Sequence, residues 1–127
     1  MTEDGVRKIE TTLGVRMPAD YRRVIAGVGA GADGGFWRDG LFNRPETVIE
    51  RSGWLRGMVD DAGSKMPHAW VVVSEVDGGD SVVMATEEAG SPLRLWNHET
   101  LAFEPFGASV AAFAEAYRRA GEPPAAS

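Results

Sequence analysis

Two histidines, His68 and His98, are the side chains of this sequence that titrate closest to neutral pH, and cysteine is absent. Without cysteine there is no thiol nucleophile, thiolate zinc site, iron–sulfur cluster or disulfide framework. The spacings that make a nucleophile elbow, Gly-x-Ser-x-Gly, or a zinc-binding helix, His-Glu-x-x-His, do not occur. A metal would need His68, His98 and carboxylates gathered from separated loops. The glycine-rich run at 27–35 follows a helical pattern rather than a strand, and no Lys-Ser/Thr succeeds it, so it does not read as a phosphate cradle. Adjacent acids stand at Asp60-Asp61 and Glu87-Glu88. Neighbouring residues point apart on helices and strands, so neither pair reads as a general acid–base dyad. The expectation is a chain with no catalytic residues, no metal and no cofactor.

What remains is recognition chemistry. The 127 residues carry 19 acids against 13 bases, a formal net charge of −6. Residues 75–104 hold seven acids and one base, Arg94, while the rest of the chain balances at 12 and 12. A phosphate backbone needs clustered Lys and Arg, so nucleic acid is not the expected partner; a basic protein is. Glu87 and Glu88 occupy one turn, and Asp77 and Asp80 flank a Gly-Gly turn, where the alternative role of the two aspartates is to bond the turn backbone. The loop lacks the spaced oxygens of an EF-hand. Of four tryptophans, Trp70 and Trp96 fall on strand patterns and read as core. Trp37, beside Asp39, and Trp54, on a glycine-containing helix, are the two that could stay exposed as protein-binding anchors. The candidate partner-binding set is Trp37, Asp39, Asp77, Asp80, Glu87 and Glu88.

The elements that must position these residues follow from periodicity. Val6, Ile9 and Leu13 mark a short amphipathic helix stopped by Gly14. Pro18 is placed to open a second helix at its first position, with Asp20 in the first turn and Tyr21, Val24, Ile25 and Val28 on one face. Phe36, Trp37, Leu41 and Phe42 read as a short strand or hairpin. A third helix begins near Pro45, with Val48, Leu55 and Val59 on its apolar side and Gly53 and Gly57 weakening it. From Trp70 the pattern changes to strands: Trp70–Glu75, Ser81–Ala85, Pro92–Asn97 and a fourth within Leu101–Phe106, joined by turns at Asp77-Gly78-Gly79, Glu87–Ser91 and Asn97–Thr100. Pro92 suits an edge strand or a first strand residue. Ser109 caps a last helix with Val110, Phe113, Ala114 and Tyr117 inward and Gly121 as its stop. Strands segregated from helices imply an α+β fold, a single domain over 1–120 in which an antiparallel β-meander packs with about four helices. Residues 121–127 read as a flexible tail. The charged N-terminal stretch lacks an apolar signal region and no run approaches about 18 apolar residues, so the expected location is the cytoplasm.

The segment Ile9–Ile25 resembles the opening motif of the SUKH superfamily, which contains bacterial immunity proteins and the Smi/Knr-type regulators of fungal cell-wall assembly. The matching residues are Glu10, Leu13, Gly14, Met17, Pro18, Asp20 and Tyr21. Further matches are the apolar strand Trp70–Val73, the Gly79-Asp80 turn, Val82-Val83, the stretch Leu93–Glu99 with Trp96 and His98, and Ser109-Val110 with Phe113. The glycine-rich stretch lacks the family's usual Asn, and Val110 stands where an aromatic is usual. The resemblance covers about residues 6 to 118. It implies a non-enzymatic α+β protein-binding domain, most often one that neutralises a cognate toxin, commonly a nuclease, by occupying it. The alternative it leaves open is a regulatory or scaffolding module that binds an endogenous protein. Glu10 is read as a cap or an ion pair to the following turn, through Arg22 or Arg23.

Overall fold

Helix α1 runs Glu3–Leu13. The Thr2 hydroxyl caps it by accepting from the Gly5 N–H at 3.2 Å, and Glu3 and Asp4 complement the dipole of the first turn. Gly14, at φ +69°, ends it, its N–H donating to the Glu10 carbonyl at 2.9 Å. A β-carbon at Gly14 would meet His68 Nε2 at 3.2 Å, a tight approach that the exposed imidazole can relieve, so it is the positive φ that calls for glycine. The structure, a computed structural model, describes residues 1–28, 41–58, 63–76, 79–107 and 109–120. Helix α2 spans Ala19–Val28. The Pro18 carbonyl accepts the first helical bond, from Arg22 N–H at 3.1 Å, so Pro18 caps the helix rather than beginning it. Val6, Ile9, Leu13, Tyr21 and Ile25 are buried, as the spacing predicts.

The turn between these helices is held by Glu10. Its Oε2 accepts from the Met17 N–H at 2.8 Å and from the Arg22 guanidinium, which also pairs with Glu3. The sequence reading of Glu10 therefore holds, with Arg22 as the partner; Arg23 pairs with Asp20 instead. Burial pushes the Glu10 carboxyl up, but hydrogen bonds from Arg22 and the Met17 N–H, with the charges of Arg22 and Arg16, outweigh it and hold the group below its ordinary value.

Helix α3 is Pro45–Arg56, with its proline in the first turn. Its buried stripe is Val48, Ser52 and Leu55, so a serine occupies the middle of the apolar face. The sheet follows: β1 Trp70–Val76, β2 Asp80–Ala85, β3 Leu93–Trp96 and β4 Phe103–Gly107, antiparallel in the order β1-β2-β3-β4. Helix α4, Val110–Ala120, closes the chain order, its first turn capped by Ser109 Oγ, which accepts from Ala112 N–H at 3.1 Å. The α+β meander with four helices is the architecture the strand pattern implies.

Three local readings change. Leu41 and Phe42 are buried but form no strand; the Phe42 N–H makes one bond, to the Val73 carbonyl at 2.9 Å. Pro92 is not on an edge strand, because β3 pairs on both sides; the proline stands just before it and accepts from Ala85 N–H at 3.0 Å. Strand β4 starts at Phe103, because Leu101, at φ +62°, still belongs to the turn. A leucine there costs about 1–2 kcal/mol, offset by its packing against the core. Phe36, Trp37, Val59, the glycine-rich run from 29 onward and the 121–127 tail lie outside the described residues, as do the Val28 and Tyr117 side chains and Gly121.

Register sorts the sheet's side chains. Val71, Val82, Met84, Leu93 and Leu95 share one face and are all buried. The other face carries Val72, Ser81, Val83, Ala85 and Trp96, all buried, with Trp70, Glu75, Arg94, Phe103 and Pro105 keeping some exposure around them. A bulge between Val72 and Ser74 breaks the β1 ladder and turns backbone groups outward. Phe42 takes the Val73 carbonyl, and Ser52 Oγ accepts from the buried Val72 N–H at 2.9 Å. The edge of β1 is thus occupied from within the chain.

Two outcomes follow. Ser52→Ala leaves the buried Val72 N–H without its acceptor and should lower unfolding free energy by about 1–3 kcal/mol in urea titration. The Glu10 contribution is present above the carboxyl's ordinary value of 4.5 and is lost as pH falls through its lower folded value. Glu10→Gln should therefore lower the midpoint at neutral pH and flatten the stability–pH curve below about 4.5 in equilibrium denaturation.

Candidate functional site

The antiparallel register brings the first and third turns of the meander to one end and the second turn to the other. At one end, Ser81 pairs with Trp96, so Asp80 lies beside the Asn97–Leu101 turn. Asp80 Oδ1 accepts from the His98 backbone N–H at 3.0 Å and faces His98 Nδ1 at 2.6 Å. A carboxylate acceptor places the proton on Nδ1, which leaves Nε2 as the outward nitrogen, 4.0 Å from Glu99. The Asp80 side chain is 10% exposed and the His98 side chain 41%. The imidazole lies over Gly79, where a β-carbon would come within 3.3 Å of Nδ1. Asn97 completes the turn, its Oδ1 accepting from the N–H groups of Glu99 at 2.8 Å and Thr100 at 3.1 Å. Asp80 is thus turned inward, tying the first hairpin to the third turn.

At the other end, Trp70 pairs with Ala85, which places it next to the Glu87–Ser91 turn. The Trp70 Nε1–H donates to Glu87 Oε1 at 3.0 Å. Arg94 reaches from β3 over the same indole, 5.6 Å from its centroid, and its guanidinium donates to Glu88 at 2.9 Å. Phe103 meets Trp70 edge-on, centroids 5.2 Å apart. The two adjacent acids therefore serve different partners, one an indole and one a guanidinium, and both fix groups on the exposed sheet face. Trp70, expected in the core, is only partly buried and belongs to this face. Trp96 is in the core at 2% exposure.

Of the six predicted contact residues, Glu87 and Glu88 are brought together at this aromatic face and Asp80 lies at the opposite turn end. Trp37, Asp39 and Asp77 lie outside the described residues, as does the Asp60-Asp61 pair. The histidines share no partner among the described residues. His68 lies against Gly14 while its carbonyl accepts from Arg56, which also donates to the Leu13 carbonyl at 3.1 Å. Among the described residues no group of three His, Asp or Glu is placed to hold a metal ion, and no helix is long and apolar enough to cross a membrane.

Sequence reasoning missed the Asp80–His98 pair and the Glu87–Trp70 bond. Their signal was available in the hairpin pattern: once β2 and β3 pair, residues flanking alternate turns become neighbours. It also passed over Ser52, a polar residue at i+4 from Val48 and three before Leu55, where a buried hydroxyl must have a backbone partner.

No family model, curated protein or solved structure matches the chain.

The inward role of Asp80 has a direct check. Asp80→Ala removes a buried charged acceptor of two bonds and should cost about 1–3 kcal/mol in chemical denaturation, whereas Glu87→Ala, at an exposed position, should cost under about 1 kcal/mol.

Proposed function

We propose that this chain is a non-enzymatic protein-binding domain of the SUKH type, acting in the cytoplasm as an immunity protein that occludes a basic toxin domain. The observation that carries the reading is the location of the charge: the whole net charge of −6 falls within residues 75–104, on the sheet and its turns. Glu87 and Glu88 stand at the rim of a sheet face that keeps aromatic surface exposed. Acids in that position substitute for the phosphates a basic nuclease cleft binds, and they speed encounter by steering. Supporting it from the other half of the chain, the motif residues Glu10, Gly14, Met17 and Pro18 together build the α1–α2 turn.

The test is binding of the purified product of the adjacent gene, followed by stopped-flow association. The expected result is a complex that abolishes that product's activity, with Glu87→Gln/Glu88→Gln slowing association several-fold at low salt and the difference shrinking as ionic strength rises. Absence of binding, or capture of a host protein in its place, overturns the immunity reading.

A further inference from the structure

Trp54 is the exposed large apolar side chain of the described structure, at 52%. Its indole stands edge-on to Trp96, with centroids 5.5 Å apart and planes at 87°. Trp96 pairs with Ser81 on one side and Phe103 on the other, and is two residues from Arg94, so it projects on the same sheet face as Trp70 and Phe103. One continuous surface results: Trp54 outermost, Phe103 and Trp70 partly exposed, and Trp96 and Val83 beneath.

Carboxylates surround it. Glu50 lies one helical turn before Trp54, Glu75 is on the same face of β1, and Glu87 and Glu88 close the far end. Arg51 is bound to Glu75 at 3.0 Å and Arg94 to Glu88 at 2.9 Å. Four acids against two bases leave this surface at −2. A second copy of the chain would bring the same sign of charge against it, and a nucleic acid backbone likewise. A cationic side chain gains both from an exposed indole face and from the carboxylates beside it. Trp54 also has the form of an anchor, an aromatic packed against Trp96 and still 52% exposed, so that little side-chain entropy is lost on contact.

The geometry points to the face formed by Trp54, Phe103 and Trp70, with buried Trp96 beneath them, as the docking surface for a basic protein segment, with a lysine or arginine seated on the Trp54 indole. This rests on the protein-binding reading above and names the surface that performs it. Glu87 and Glu88 then have two roles, attracting the segment and holding Trp70 and Arg94 in place to receive it.

The test uses the full chain labelled with nitrogen-15 and an acetylated hexa-arginine peptide, with hexaglutamate as the opposite charge. The four indole N–H signals report separately. The expected result is a saturable shift of the Trp54 and Trp70 indoles with hexa-arginine alone, weakened by added salt. Trp54→Ala should reduce affinity about tenfold and Trp54→Phe by less than about threefold. Trp54→Phe keeps an aromatic against Trp96 and separates loss of the anchor from loss of packing. Shifts that miss Trp54 and Trp70, equal shifts with hexaglutamate, or affinity unchanged in Trp54→Ala overturn the proposal. The same Trp54→Ala chain is then offered to the adjacent gene product. Full binding there overturns the docking face and leaves the immunity reading standing. An adjacent gene product that never binds, beside a Trp54-dependent peptide shift, overturns the immunity reading and leaves the face.

Discussion

Strand β2 is buried along its entire length, so both faces of the sheet need cover. On one face, aliphatic side chains of β1, β2 and β3 are sealed inside the core. On the other stand large side chains of the sheet itself, with Arg94 and Phe103 packed on Trp70 and Trp54 of α3 packed on Trp96. An indole N–H and a guanidinium placed there need acceptors, and the stem of Arg94 can cover apolar surface only while its head is bound. Glu87 and Glu88 meet both needs. The acids of that turn are therefore part of how the sheet is covered, and their charge at the surface is a second property of the same arrangement.

The opposite turn end shows the other use of an acid. Asp80 spends its accepting oxygen on His98, while Asn97 closes its own turn, and together they set a segment that ends with Leu101 in a left-handed conformation. A buried carboxylate bonded twice is a fastening between two hairpins. The acidic excess thus divides by function: inward at Asp80, bound at the rim at Glu87 and Glu88.

The fold class was legible because its signals are local. Helix periodicity, the Gly14 stop, the Ser109 cap and the β-branched run from Trp70 depend on neighbouring residues. Element edges shifted where a backbone bond decided them, as at Pro18, Pro92 and Leu101. The site was less legible because it depends on register. Nothing near Glu87 in sequence indicates Trp70, and nothing near Asp80 indicates His98; the partners are fixed only when β1, β2 and β3 align. Ser52 is the intermediate case, a polar residue inside an apolar stripe whose meaning becomes clear only beside the β1 bulge.

The proposed docking surface is the sheet face where aromatic rings and acids meet, away from the turn that Glu10 and Arg22 hold. The most direct measurement is amide hydrogen exchange of the chain alone and in complex with the adjacent gene's product. Docking on this face should give new protection at the C-terminal half of α3, at Trp70 and along β3 and β4 around Arg94 and Phe103. Protection confined to α1, α2 and the turn between them, with the sheet face unchanged, would contradict it.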